Sequence, residues 1–315
     1  MKVLEIANNT KYKIIIGNEI VNNISNHINF AKYSKILILI DRKVYELWWS
    51  DVKTYLPSDA VIIQVEDGEV NKNITNATQI WNQMIEKGFD RKSIIINFGG
   101  GMVSDLGGFV ASTYMRGIDF INIPTTLLSA VDASIGGKVA VNLNNTKNII
   151  GCFANPILVL VDIKFFSTLP NREFQSGMAE IVKHALICNE NYANQIIEFA
   201  NKKCNIIDVI FESLKIKKHI VELDFKEKAE RKLLNFGHTI GHAFESVAMQ
   251  IDKSLLHGEA VAIGMIIESK IALKLGVINE SDANKIQSFI INVNLFSLNS
   301  DEKANYNINS LIDYI

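Results

Sequence analysis

Apolar positions in the first half of the chain fall in short, β-branched runs. Residues 12–16, 35–40, 60–65 and 93–98 are such runs, each bounded by polar or turn residues, and that length and composition predict buried strands. Between them the spacing changes. Within residues 76–87, Ile80, Met84 and Ile85 recur at helical intervals, which predicts an amphipathic helix. Strands alternating with helices predict an α/β domain on a mainly parallel sheet. From about residue 163 the strand signal fades. Residues 172–188, 191–201, 206–223, 231–249 and 257–275 carry long helical patterns, so the second domain is predicted to be nearly all helix. The expected domains are 1–162 and 163–315, divided just ahead of Thr168-Leu-Pro170.

Composition supports two ordinary cores. The 315 residues are 48% hydrophobic and 21% charged, and a chain of this length exceeds the size at which one core usually stops growing. The net charge of −2 supplies no field for nucleic acid or an anionic membrane. Neither is expected as a partner, and an anionic ligand must be held by locally placed cations. Cys152, Cys188 and Cys204 are odd in number and form no CxxC pair, which fits a reducing compartment. With no signal-peptide pattern and no apolar run long enough to span a bilayer, a soluble cytoplasmic protein is expected.

Three stretches carry chemistry. The strand at 93–98 runs into Gly99-Gly100-Gly101 and then Met-Val-Ser-Asp-Leu-Gly-Gly-Phe109. A strand, a glycine turn and a helix start place backbone N–H groups where phosphate oxygens bind. Ser104 or Asp105 is expected to cap that helix, and Asp41, at the end of another strand, suits a ribose hydroxyl. The spacing departs from GxGxxG, since Ser occupies position 104, and a tight packing turn explains the motif about as well. The second stretch sets Arg116, Asp132, Lys138, Lys147 and Asn148 singly among glycines and small residues, a pattern suited to close approach of a phosphate.

The third stretch holds three of the six histidines, His238, His242 and His257, within twenty residues. On a helix, His238 and His242 share a face, roughly 6 Å apart along the axis. Upstream, Glu180 and Lys183 also share a helix face. A carboxylate with two imidazoles, or three imidazoles, forms a catalytic zinc set with an open position for substrate, and the spacing alone leaves both open. Thr239 stands where HExxH would need glutamate, which disfavours a zincin-type protease.

Taken in order, GGGMVSDLGGF, YMRG, PTTLLSAVDASIGGK, KNIIG, TLPNREF, GMAEIVK, LLNFGHTIGHAFE and HGEAVAIGM resemble the 3-dehydroquinate synthases, within the sugar-phosphate cyclase group. The resemblance runs from Asp41 to about Met265. It implies a Rossmann-like α/β N-terminal domain that binds NAD and an all-α C-terminal domain, with the active site in the interdomain cleft. The implied reaction is that of a phosphorus–oxygen lyase of the shikimate pathway to aromatic amino acids. It converts 3-deoxy-D-arabino-heptulosonate 7-phosphate to 3-dehydroquinate and phosphate.

Carried over by motif, Glu180, His238 and His257 are the ligands of one divalent metal, zinc in the first instance and cobalt as the other candidate. Asp41, Glu69, Lys72, Gly100, Gly101, Asp105, Thr125, Thr126, Lys138, Lys147, Thr168 and Leu169 are implied around NAD. Asp132, Lys138, Asn148, Lys183, Lys217, Arg231, Asn235 and His242 match substrate-site positions. Arg116 matches an arginine that enters the neighbouring subunit's site, so a homodimer is expected.

The chain departs from the family pattern at Thr146, where glycine is usual, and at Lys228-Ala229, where two glycines are usual. Family members also continue past Ile315 into a lysine-rich segment, so the C-terminus is short by this comparison. Two other readings compete. One is a different NAD- and metal-dependent sugar-phosphate cyclase; the other is a degenerate nucleotide-binding scaffold. A metal-dependent alcohol dehydrogenase would have no use for the carboxylate-binding set of Lys217, Arg231 and Asn235.

Overall fold

The four β-branched runs all become strands of a seven-stranded sheet, with the run at 60–65 at one edge. The structure, a computed structural model, describes residues 1–144, 146–188, 190–200, 204–250 and 255–293. Its strands are β1 (Lys2–Ala7), β2 (Lys11–Gly17), β3 (Ile36–Asp41), β4 (Val61–Val65), β5 (Ile94–Gly99), β6 (Asp119–Pro124), β7 (Lys138–Leu143), β8 (Thr146–Phe153) and β9 (Leu158–Asp162). The main sheet has the order β1-β2-β9-β6-β5-β3-β4. Only β1 runs antiparallel to its neighbour; every other pairing in this sheet is parallel.

Central strands β3, β5 and β9 are buried at every residue. That is why they lack the apolar–polar alternation of a half-solvated strand. Successive side chains point to opposite faces, so each strand feeds two cores. Ile38, Ile40, Ile96 and Phe98 join one cluster with Val44 and Phe165. Leu37, Leu39 and Ile95 join the other with Ile80, Met84, Leu106 and Val110.

Three helices serve this unit: α1 (Arg42–Val52), α2 (Ile74–Glu86) and α3 (Gly101–Thr113). The helix predicted for 76–87 is α2, and its buried Ile80 and Met84 face the second core. The stretch around Lys138 and Asn148, for which no strand was predicted, folds as the β7–β8 hairpin. Alternate residues Val139 and Val141 anchor β7 in the second core, while β8 carries no buried position and is held by its pairing to β7.

The chain divides between Leu169 and Pro170. The second unit contains α4 (Asn171–Cys188), α5 (Glu190–Ala200), α6 (Ile206–Leu223), α7 (His238–Gln250), α8 (His257–Lys274) and α9 (Glu280–Asn292). α9 was not among the predicted helices. The helix predicted over 231–249 is instead two pieces, a 3₁₀ turn at Glu230–Asn235 and α7. Gly237 separates them with φ +81, and a Cβ there would lie 2.6 Å from the Val261 carbonyl oxygen. A left-handed residue packed against a neighbouring helix cannot continue a right-handed one. No helix among the described residues is long and apolar enough to cross a membrane. The short C-terminus expected from the sequence lies outside the described residues.

Candidate active site

Three helix starts and one helix middle bring the second unit's chemistry together. Glu180 sits midway along α4, wholly buried. Lys183, one turn on, is also buried and pairs with the Glu180 carboxylate. His238 is the first residue of α7 and follows Gly237 directly. Glu268, from α8, accepts from Gly237 N at 2.7 Å and so caps that helix. His257 is the first residue of α8, where Glu259 closes a capping box on Leu256 N at 2.9 Å. Arg172, at the start of α4, grips both Glu259 oxygens at 2.6 and 2.7 Å. This clamp ties the start of α4 to the start of α8.

These placements bring Glu180, His238 and His257 to one point. Nε2 of His238 lies 3.7 Å and Nε2 of His257 3.6 Å from Glu180 Oε1. Those distances exceed hydrogen bonds. They match the spacing of atoms that share a small cation, since tetrahedral zinc ligands at about 2.0–2.2 Å sit roughly 3.4 Å from each other. Neither Glu180 oxygen makes a well-formed hydrogen bond, although both are buried. Burial pushes the Glu180 carboxyl up, but Lys183 and the two imidazoles outweigh it and hold it well below the usual carboxylate range. Burial lowers His257, yet the carboxylates of Glu180 and Glu245 on either side of its ring together raise it to about 10. A fully buried anion surrounded by imidazoles fits a cation.

His242 lies on the same helix as His238, its ring centroid 5.2 Å from that of His238 and 6.1 Å from that of His257. Its side chain is 59% exposed, unlike those of the other two. Lys217 on α6 and Arg231 in the 3₁₀ turn are buried, and α6 packs against both that turn and α4. Arg231 Nη1 donates to the Phe225 carbonyl at 2.7 Å. Asn235 Nδ2 donates to Glu227 Oε1 at 3.0 Å. In the loop that departs from the family, Asp224 accepts from the backbone N–H groups of Lys228, Ala229 and Arg231. One carboxylate thus organises a turn that glycines would otherwise allow. Glu227 and Glu245 were not singled out from sequence. The signals were present, since Glu245 lies one turn from His242 on α7 and closes the GHAFE stretch.

In the first unit a second group assembles. Lys72 is buried and pairs with Glu69 at 2.8 Å and Asp105 at 3.1 Å. Burial, opposed by Lys72, raises the Asp105 carboxyl to about 6. Asn142 joins this group through Glu69 Oε1 at 3.0 Å, and its own Oδ1 accepts from Asn148 N at 2.8 Å. Asn148, Arg116 and the adjoining Met115 all have positive φ, the backbone of tight turns. Lys138 and Lys147 lie on the hairpin strands.

The expectation that Ser104 or Asp105 caps α3 is corrected. The helix begins at Gly101 with Gly100 as its cap, and no side chain occupies that place. A Cβ on Gly99 would lie 2.8 Å from Asp41 Oδ2, and one on Gly100 would lie 3.3 Å from Thr126 Cγ2. Close packing against Val103, Asp41 and Thr126 therefore keeps the turn bare of side chains. Asp41 is at the end of β3 as expected, but its Oδ1 already accepts from Val44 N at 2.7 Å and caps α1. Thr125 N donates to Gly99 O at 3.0 Å, and Thr126 Oγ1 accepts from Ser129 N at 3.1 Å. Asp132 lies in the π-helical turn Ser129–Ala133. Thr168 Oγ1 accepts from Trp48 Nε1 at 3.0 Å, and Leu169 ends the first unit.

Comparison with known proteins agrees across the chain. Residues 62–176 match the family model for the 3-dehydroquinate synthase N-terminal domain, and residues 177–314 match that for the C-terminal domain. A 3-dehydroquinate synthase of Dictyoglomus thermophilum is 42% identical over 97% of this chain and 84% of its own length. A crystal structure of 2-deoxy-scyllo-inosose synthase complexed with carbaglucose-6-phosphate, NAD+ and Co2+ superposes with TM-score 0.88 at 26% identity, over 99% of this chain and 86% of that one. A 2-epi-5-epi-valiolone synthase from Streptomyces hygroscopicus with NAD+ and Zn2+ bound gives TM-score 0.84 at 25% identity, over 99% and 88%. From both halves of the sequence and from the fold, the chain belongs to the 3-dehydroquinate synthase family and is an enzyme of the phosphorus–oxygen lyase class.

Proposed function

We propose that Glu180, His238 and His257 hold one divalent cation, zinc in the first instance, as part of a 3-dehydroquinate synthase site that also binds NAD. The observation that supports this most is the meeting of their ligand atoms, all within 4.8 Å of one another. A cation there supplies Lewis acidity and a template for substrate hydroxyls. NAD supplies a hydride acceptor that is regenerated within each turnover. The glycine turn and Asp41, with the Glu69, Lys72 and Asp105 group, form the cofactor's seat, and Thr125, Thr126, Lys138, Lys147, Thr168 and Leu169 complete it. The substrate is the carboxylated seven-carbon sugar phosphate, 3-deoxy-D-arabino-heptulosonate 7-phosphate.

The chain's own residues divide the remaining work. Arg231, its guanidinium fixed by the Phe225 carbonyl, presents an oriented fork to the substrate carboxylate, with Lys217 beside it. Asn235 orients a hydroxyl. Lys138 and Asn148 hold the phosphate that leaves, and Asp132 accepts from a substrate hydroxyl. Lys183 neutralises Glu180 and donates to a substrate oxygen. His242, exposed beside the other imidazoles, holds or moves a proton at its Nε2. Arg116 completes the site of a second copy, in a cytoplasmic homodimer. Much of the rate enhancement comes from positioning, worth roughly 7–11 kcal/mol in favourable cases.

Phosphate release tests the substrate. Release is expected from the carboxylated heptulosonate phosphate, not from heptulose 7-phosphate or glucose 6-phosphate. EDTA should abolish it, and zinc or cobalt should restore it. Release from a neutral sugar phosphate alone would overturn the assignment.

Metal affinity should also depend on pH. His257 holds a proton below about 10 in the cation-free chain, and a cation must displace it. Apparent zinc affinity should therefore rise about tenfold per pH unit between pH 6 and 8, read by chelator competition. A flat profile would contradict it. The same proton stabilises the cation-free fold. Its folded value, about 10, exceeds the ordinary 6.5, so that contribution is complete below the lower value and vanishes as pH passes the upper one.

A further inference from the structure

We propose that Glu245 is a positioning residue that sets which nitrogen His257 turns toward the cation. The inference rests on the cation site proposed above, and Glu245 is not one of that site's ligands. Glu245 is buried, 6% exposed, three residues after His242 in α7. Oε2 lies 3.3 Å from His257 Nδ1. The opposite ring nitrogen, Nε2, is the one 3.6 Å from Glu180 Oε1. The imidazole of His257 therefore spans two carboxylates, one on each side. A neutral imidazole has one N–H and one lone pair. With Glu245 accepting the N–H at Nδ1, the lone pair is fixed at Nε2, facing Glu180. A carboxylate in this place behind a ligating histidine orients the ring and raises its basicity.

The same atoms admit a different arrangement, because His242, Glu245 and His257 could also gather around a cation. The two arrangements exclude one another, because His257 would have to offer a lone pair at Nδ1 as well as at Nε2 to serve both, which a neutral ring cannot do. His242 also lies 4.0 Å from Glu245 Oε2 and is 59% exposed, a poor partner for a closed site.

Glu245→Met keeps the volume and removes the acceptor, while Glu245→Gln keeps a carbonyl acceptor. Zinc competition against a colorimetric chelator should show a 10–100-fold weaker affinity for Glu245→Met, with most of it recovered in Glu245→Gln. Glu245→Met loses the charged His257–Glu245 pair, so its cation-free thermal midpoint should fall at pH 7, and affinities are compared at a temperature where both cation-free proteins are fully folded. Nitrogen-15 NMR of zinc-loaded, unaltered protein needs no variant and should show His257 protonated at Nδ1 and ligated at Nε2. The reverse tautomer overturns the proposal. So does equal zinc affinity in Glu245→Met, or two zinc ions per unaltered chain falling to one in that variant. No zinc on the unaltered protein would remove the cation site itself.

Discussion

Glu180→Ala should abolish zinc binding, cut phosphate release by about a thousandfold and destabilise the cation-free protein. The first two effects follow from losing the only carboxylate among the proposed ligands. Lewis-acid stabilisation is worth several kcal/mol, and roughly 4 kcal/mol corresponds to about 10³ in rate. The third arises from Lys183. That ammonium is buried and paired with Glu180, and removing one partner of a buried pair costs about 3–5 kcal/mol because a charge is left uncompensated. The double variant Glu180→Ala/Lys183→Met removes both charges. It should recover most of the stability and none of the activity. Urea denaturation and a phosphate assay on the four proteins of this cycle separate the roles. Activity of Glu180→Ala within tenfold of the unaltered enzyme would remove Glu180 from the cation site.

Gly258→Ala should have the next largest effect, although residue 258 is neither a proposed cation ligand nor a proposed substrate contact. A Cβ there would sit 2.0 Å from Ser176 O, 2.5 Å from Ser176 Cα and 2.6 Å from Ser176 C. All three are backbone atoms, so no side chain can rotate away. Ordinary contact begins at 3.4 Å, and the gap must open by 1.4 Å, the difference between 3.4 and 2.0 Å. α8 would move off α4, taking His257 away from Glu180, and would strain the bond from Gly258 N to Ser176 Oγ at 3.0 Å. Overpacking of this kind costs about 1–3 kcal/mol. A displacement near 1 Å at a catalytic group costs about 10²-fold in rate. Zinc affinity should fall together with kcat. Unchanged zinc affinity in a folded Gly258→Ala protein would show that the α4–α8 contact does not set the site.

Much of this was legible before any fold was known. Runs such as 35–40 and 93–98 read as buried strands, because continuous branched apolar sequence has no stable place at a solvated surface and such short β-branched runs favour strand over helix. The helices at 206–223 and 257–275 followed from their periodicity for the same reason. Other features were hidden. In the β7–β8 hairpin only β7 alternates buried and open positions, through Val139 and Val141, and β8 has no buried position to mark it as a strand. The break before α7 was missed because Gly237 interrupts no apolar period; only its positive φ and the carbonyl of Val261 beside it forbid a continuous helix.

Residue identities alone determined the family, the α/β and all-helical halves, and the donor types able to hold a cation, because those depend on composition, period and ordered motifs. Tertiary structure decided which donors meet. His242 and His257 are equal as letters, yet one imidazole is largely exposed, and the other is held between Glu180 and Glu245. Proximity between residues 180, 238, 245 and 257 is created by packing α4, α7 and α8 through close backbone contacts, and such distances are a property of the folded chain that no local pattern encodes.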